Sequence, residues 1–146
     1  LKRDEFRFVL PIQTRWIDND VYGHVNNVVY YAYFDTVINR WLIDEGGLDI
    51  FGKAPLEGDD RRDVIGVCAE SQCTYVHSAS FPDDLAAGLR VAKIGTSSVT
   101  YEVAVFHGET LCAHGRFVHV FVDRRTRKPT PIPKAIRDAL DRIASR

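Results

Sequence analysis

Two carboxylates, a glycine and a histidine crowd into the stretch RWIDNDVYGHVNNVVYYAYF, residues 15–34, directly ahead of a long apolar run. Asp18, Asp20 and Gly23 first suggest a calcium loop, which needs oxygen ligands at its fifth position and a glutamate at its twelfth. Tyr22 and Val29 occupy those positions, so calcium is excluded. His77, His107, His114 and His119 lie on or beside strand-like segments, with no HExxH or paired-cysteine spacing to gather them, and no metal site is expected. Neither a GxSxG nucleophile elbow nor a GxxxxGK[ST] phosphate loop occurs.

What remains is an acid just before a helix start. The first turn of a helix carries unpaired N–H groups and about half a positive charge, which stabilise an oxyanion forming at a carbonyl. Asp20 precedes such a turn by a few residues. That pairing suits a thioester, because its carbonyl is already electrophilic and its thiolate, with a pKa of about 8.5, departs with little help. Asp20 would either attack the carbonyl or draw a proton from water. The plainer reading is that Asp20 forms a turn, that His24 bonds to backbone near the helix start, and that Asn26 and Asn27 cap it.

The elements that would hold these residues follow from periodicity. Phe6, Phe8, Leu10, Ile12, Thr14 and Trp16 alternate with polar positions and predict a half-buried strand. From Asn26 or Asn27 to Gly46-Gly47 the apolar residues form two stripes, Val28, Tyr31, Ala32, Ile38 and Leu42 on one, Tyr30, Phe34, Val37 and Trp41 on the other. A helix apolar nearly all round belongs at the centre of a core. Leu48 to Arg62 reads as a loop, and four further strands follow, around Ile65–Tyr75, Leu85–Val91, Val99–Val105 and Leu111–Phe121. Gly95-Thr96 and His107-Gly108-Glu109 are short enough to make their flanking strands antiparallel neighbours. Pro133 opens a short helix using Ile136, Leu140 and Ile143. One α+β domain spanning residues 1–146 is expected, a sheet curled round one helix.

On Arg15, Trp16, Asp18, Asp20, Gly23, His24, Val25, Asn26, Asn27 and Tyr30 the chain resembles the 4-hydroxybenzoyl-CoA thioesterase-like branch of the hotdog-fold superfamily. It is also similar to acyl-ACP thioesterases through R-W-x-D-x-D followed by H-V-N-N. Weaker similarity runs through Gly95, Ser97 and Ser98 to the closing RKPTPIP. The resemblance implies a hotdog fold, an antiparallel five-stranded sheet wrapped around one long buried helix, with a short C-terminal helix. It implies a homodimer or homotetramer with active sites between subunits. It assigns Asp20 as the catalytic aspartate, the amides near Val25 to Asn27 as the group polarising the carbonyl, and His24 as a histidine near the reaction. Gly23 and Tyr30 complete the substrate site. Acyl-ACP thioesterases carry an asparagine where this chain has Tyr22, so an acyl-CoA is the preferred substrate and an acyl-ACP the alternative.

CoA phosphates call for cations or backbone donors, and Lys93, Thr96, Ser97, Ser98, Arg124 and Arg125 are the candidates. The basic run after the last strand reads equally as a solvated turn. Glu70 and Glu102 are acids offered to a partner subunit or outward-facing groups. No cofactor is expected, CoA being part of the substrate. The formal net charge of −1 argues against nucleic acid, no apolar run is long enough for a membrane span, and the first residues lack a signal-peptide core. Cys68, Cys73 and Cys112, an odd set without CxxC spacing, suit small reduced core residues in the cytoplasm. A non-catalytic acyl-CoA-binding domain is the rival reading, since a fold does not fix a function.

Overall fold

A computed structural model describes residues 1–51, 60–61 and 63–145. Strands β1 (Phe8–Gln13), β2 (Val64–Tyr75), β3 (Asp84–Ile94), β4 (Ser98–His107) and β5 (Thr110–Asp123) form one antiparallel sheet in the order β1-β3-β4-β5-β2. Helix α1 (Asn27–Asp44) lies against it, and a short helix α2 (Lys134–Arg142) follows Pro133. This is the hotdog arrangement. The loop expected over Leu48 to Arg62 falls largely outside the described residues. Among those described, no helix is long and apolar enough to cross a membrane.

Helix α1 starts where its cap chemistry allows. The Asn26 side chain accepts from the Val28 N–H, and after Asp44 the N–H groups of Gly46 and Leu48 close back on the carbonyls of Trp41 and Leu42. Tyr30, Tyr33, Phe34, Val37, Ile38, Trp41 and Leu42 are buried, all of one expected stripe but only part of the other. Val28 is 63% exposed and Ala32 is also open, because a single sheet covers one side of the helix. Against Phe34 and Trp41 stand Leu89, Tyr101, Val103, Phe117 and Phe121 from the sheet. Truncating such a side chain to alanine costs about 3–5 kcal/mol.

The first strand is shorter than its alternation suggests. Only Phe8 to Gln13 pair with β3, while Trp16 sits in a 3-10 turn, Trp16–Asp18, and is 78% exposed. Phe6 precedes the strand and packs on the outer face with Ala104 and Phe106, its ring lying where a Cβ on Gly88 would stand 2.7 Å away. Period-two arithmetic holds only inside extended backbone, so residues beyond the pairing lose their predicted face. Both hairpin connections join antiparallel neighbours as expected. Strand β2 skips over β3 and pairs only with β5, leaving an edge on which Cys68 to Gln72, Thr74 and Tyr75 are exposed.

Candidate active site

The loop ahead of α1 is a small hairpin. Asn19 bridges to Val25, the Asp20 N–H donates to the His24 carbonyl at 2.9 Å, and the Gly23 N–H donates to the Asp20 carbonyl at 3.1 Å. Gly23 takes φ +84, a left-handed conformation that side chains disfavour, and this lets the chain reverse in so few residues. Second contacts tie the hairpin to the segment after β2. The Asn19 amide donates to Ser80 Oγ at 3.2 Å and accepts from the Phe81 N–H at 2.9 Å, while Ser80 Oγ donates to the Gly23 carbonyl at 2.8 Å. The Val25 N–H donates to Ala79 at 2.8 Å.

Asp20 is half-buried on this hairpin. One carboxylate oxygen accepts from the Tyr22 N–H at 2.9 Å, and the other has no hydrogen-bond partner among the described residues. Asn26 occupies the Val28 N–H, and Val29 donates to the Asn26 carbonyl, so the Asn27 N–H is left as the donor with no acceptor among the described residues. Asp20, Tyr22, His24, Val25, Asn27 and Tyr30 line one side of a cleft of about 560 Å³, and Tyr75, Val76, His77 and Ser78 line the other. That volume lies in the usual range for small-molecule sites. A hollow of about 770 Å³ at the amino terminus, lined by Leu1 to Asp4, Phe6, Val9 and Glu109, pairs no acid with a helix start, so chemistry and not size selects the cleft.

Tyr75 closes the far wall. Its hydroxyl donates to the Asn27 carbonyl at 2.8 Å, and its ring meets Tyr30 edge-on at 5.4 Å. Burial, with help from the neighbouring Cys73 thiol, pushes the Tyr75 hydroxyl up to about 12, and burial likewise raises Tyr30, so both remain neutral at working pH. Neither Tyr75 nor Ser78 announces itself by local spacing; only the end of a strand pattern at Tyr75 hints at it.

The two acids of the motif differ completely. Asp18 is fully buried (0% exposed) and accepts from the Arg15 N–H at 2.9 Å, from Arg15 Nε and Nη2 at 3.0 and 2.8 Å, and from Tyr33 Oη at 2.7 Å. Burial alone disfavours the charged form, but the Arg15 guanidinium, the Tyr33 hydroxyl and the Arg15 N–H outweigh it and hold the carboxyl below its ordinary range. Asp18 is spent on structure and Asp20 is not.

The candidate CoA contacts are not gathered here. Strand β3 carries the chain from Asp84, near the cleft, to Ile94, roughly 30 Å at about 3.3 Å per residue. Lys93, Thr96, Ser97 and Ser98 therefore stand at the opposite end of the sheet, as do Arg124 and Arg125 after β5. In one chain the structure does not bring them to Asp20. Glu102 faces outward between Arg90 and Arg116, and His114 lies with them, whereas His119 points inward against Tyr101. Among the described residues no group of three or more His, Cys, Asp or Glu is placed to hold a metal ion.

Residues 13–140 match the model of the thioesterase-like superfamily. The chain is similar to the PA5185 protein of Pseudomonas aeruginosa strain PAO1, with 49% identity, 99% of this chain and 96% of that one covered, and a TM-score of 0.90. It is 25% identical over 130 residues to YsmA of Bacillus subtilis (strain 168), covering 86% of this chain and 80% of that protein. A Thermus thermophilus thioesterase solved with coenzyme A and Zn shares the fold, with 24% identity, 98% of each chain covered and a TM-score of 0.78.

Proposed function

The chain belongs to the thioesterase-like superfamily and is a thioester hydrolase; from that premise we propose that it converts an acyl-CoA to the free acid and CoA at the Asp20 cleft. The observation that carries this reading is a carboxylate and the amino end of α1 on one cleft wall. The Asn27 N–H and the positive end of the helix receive the thioester oxygen as it becomes an oxyanion. Asp20 either takes a proton from the water that attacks the carbonyl carbon, or attacks that carbon itself to form a mixed anhydride, which water hydrolyses to the free acid once CoA has left. In either route the C–S bond breaks, and CoA leaves as a thiolate that is protonated by solvent or by His24 on the exposed lip. Gly23 and Val25 shape the hairpin, Asn26 caps the helix, and Tyr30 forms the floor.

CoA as carrier is supported by the solved relative that holds it. Lys93, Thr96 to Ser98, Arg124 and Arg125 reach the substrate in this reading only from a second chain. The working unit is accordingly a homodimer or a pair of dimers. Support comes from the one-sided edge of β2 and from exposed apolar residues on the 3-10 turn and hairpin that precede α1, with Trp16 at 78%, Ile17 at 76%, Val21 at 94% and Tyr22 at 81%. Three free cysteines suit a reducing cytoplasm.

The test is CoA release from a panel of aliphatic and aromatic acyl-CoAs by the wild-type protein and Asp20→Ala. Turnover that vanishes in the variant supports the reading. Binding across the panel with no turnover means a non-catalytic acyl-CoA-binding domain, and faster hydrolysis of the same acyl group on acyl carrier protein means an acyl-ACP thioesterase.

A further inference from the structure

Asp18 is a buried carboxylate that reacts with nothing, and a lone turn does not require one. Removing a carboxylate from water is expensive unless its oxygens are satisfied, and here four hydrogen bonds from Arg15 and Tyr33 satisfy them. The same residue also works through its backbone, since its carbonyl accepts the N–H of the cap residue Asn26 at 2.9 Å. Asp18 thus joins three pieces of chain, the 3-10 turn after β1, the cap of α1, and Tyr33 further along that helix. Asp20 follows two residues later.

We infer that Asp18, gripped by Tyr33 and Arg15, is a positioning residue that sets the distance between the Asp20 carboxylate and the Asn27 N–H, an inference that rests on the hydrolase reading of the cleft. With Asp18 fixed to α1 on one side and to Asn26 on the other, Asp20 has little freedom to drift from the helix end. A displacement of about 1 Å between catalytic groups lowers a rate by as much as about a hundredfold. Tyr33 reaches no cleft surface, so its hydroxyl influences the reaction only through Asp18.

Tyr33→Phe removes one hydroxyl and keeps the ring that packs edge-on to Tyr30 at 6.0 Å. Its kcat on the best acyl-CoA should fall by about tenfold with KM unchanged, since ground-state binding does not depend on the alignment. Amide exchange at Asn26 and Val28 should quicken, and the melting temperature should fall by a few degrees, since the buried Asp18 carboxylate loses one of its four donors but keeps the three from Arg15. Asp18→Asn should give the larger kcat loss; if it does not fold, Tyr33→Phe carries the test alone. A Tyr33→Phe protein with kcat within about twofold of wild type overturns the inference, as does one whose KM rises while kcat holds. Failure of the hydrolase reading shows elsewhere, in a wild-type protein that releases no CoA or an Asp20→Ala protein at full rate. The exchange measurement then decides the clamp by itself: unchanged protection at Asn26 overturns it, and quickened exchange supports it.

Discussion

Two glycine-containing turns at opposite ends of the sheet end in different states. The turn between β3 and β4, Gly95 to Ser97, has every carbonyl taken: Arg137 donates to Gly95 and Thr96, Ile132 donates to Thr96 at 2.9 Å, and Phe121 donates to Ser97 at 2.7 Å. The hairpin before α1 is stitched as thoroughly to Ser80 and Ala79, yet one Asp20 oxygen and the Asn27 N–H remain without partners among the described residues, beside a cleft. Only the second leaves a carboxylate oxygen and a helix-end N–H unspent beside a cleft, and such groups in a concavity are what a reaction can use.

The largest test of that contrast is Asp20→Ala, which should lower kcat by roughly 10²–10⁴-fold while the protein keeps its fold. Steady-state kinetics beside a thermal melt would check both halves, and a silent variant would erase the distinction. At the far loop Arg137→Ala should do the reverse, leaving kcat alone and lowering unfolding free energy by about 1.5–3 kcal/mol through its lost charged hydrogen bonds. Chemical denaturation measures this.

Between the loops, His119 is 4% exposed, neither ring nitrogen has a partner among the described residues, and burial lowers its pKa below the ordinary 6.5. The unfolded chain therefore binds a proton at higher pH than the folded one, so this contribution to stability is complete above about pH 6.5 and is lost as pH falls toward the folded value. His119→Phe should flatten that part of a melting-temperature profile. Smallest in effect, Arg124→Ala and Arg125→Ala should raise KM for an acyl-CoA a few-fold and leave a short thioester without the nucleotide unaffected. If both substrates respond alike, the far end stays separate from the near one in the assembled protein.

Much of this was legible in the chain. Asn26, Gly46 and Gly47 bound α1 to within a residue or two of its observed ends, because caps are local chemistry. The two short connections ordered β3, β4 and β5 for the same reason. The placement of β2 beyond β5 was not legible, since pairing across long separations leaves no local mark. Phe6 and Trp16 misled because alternation continued past the pairing that gives it meaning. In the site, the run from Arg15 to Asn27 marked the hairpin, but nothing local assigned Asp18 to structure and Asp20 to the cleft. That division depends on Tyr33, fifteen residues away, and on Ser80, sixty-one residues from Asn19.

The bond from the Tyr75 hydroxyl to the Asn27 carbonyl ties the last residue of the open-edged strand to the first turn of α1. A lever is the apt comparison: bending or sliding β2 by recruiting a neighbour along its free side pulls on the peptide unit next to the donor that would hold the substrate's oxygen. Any contact made along that free side would in that sense be geared to the geometry of the cleft through one phenol.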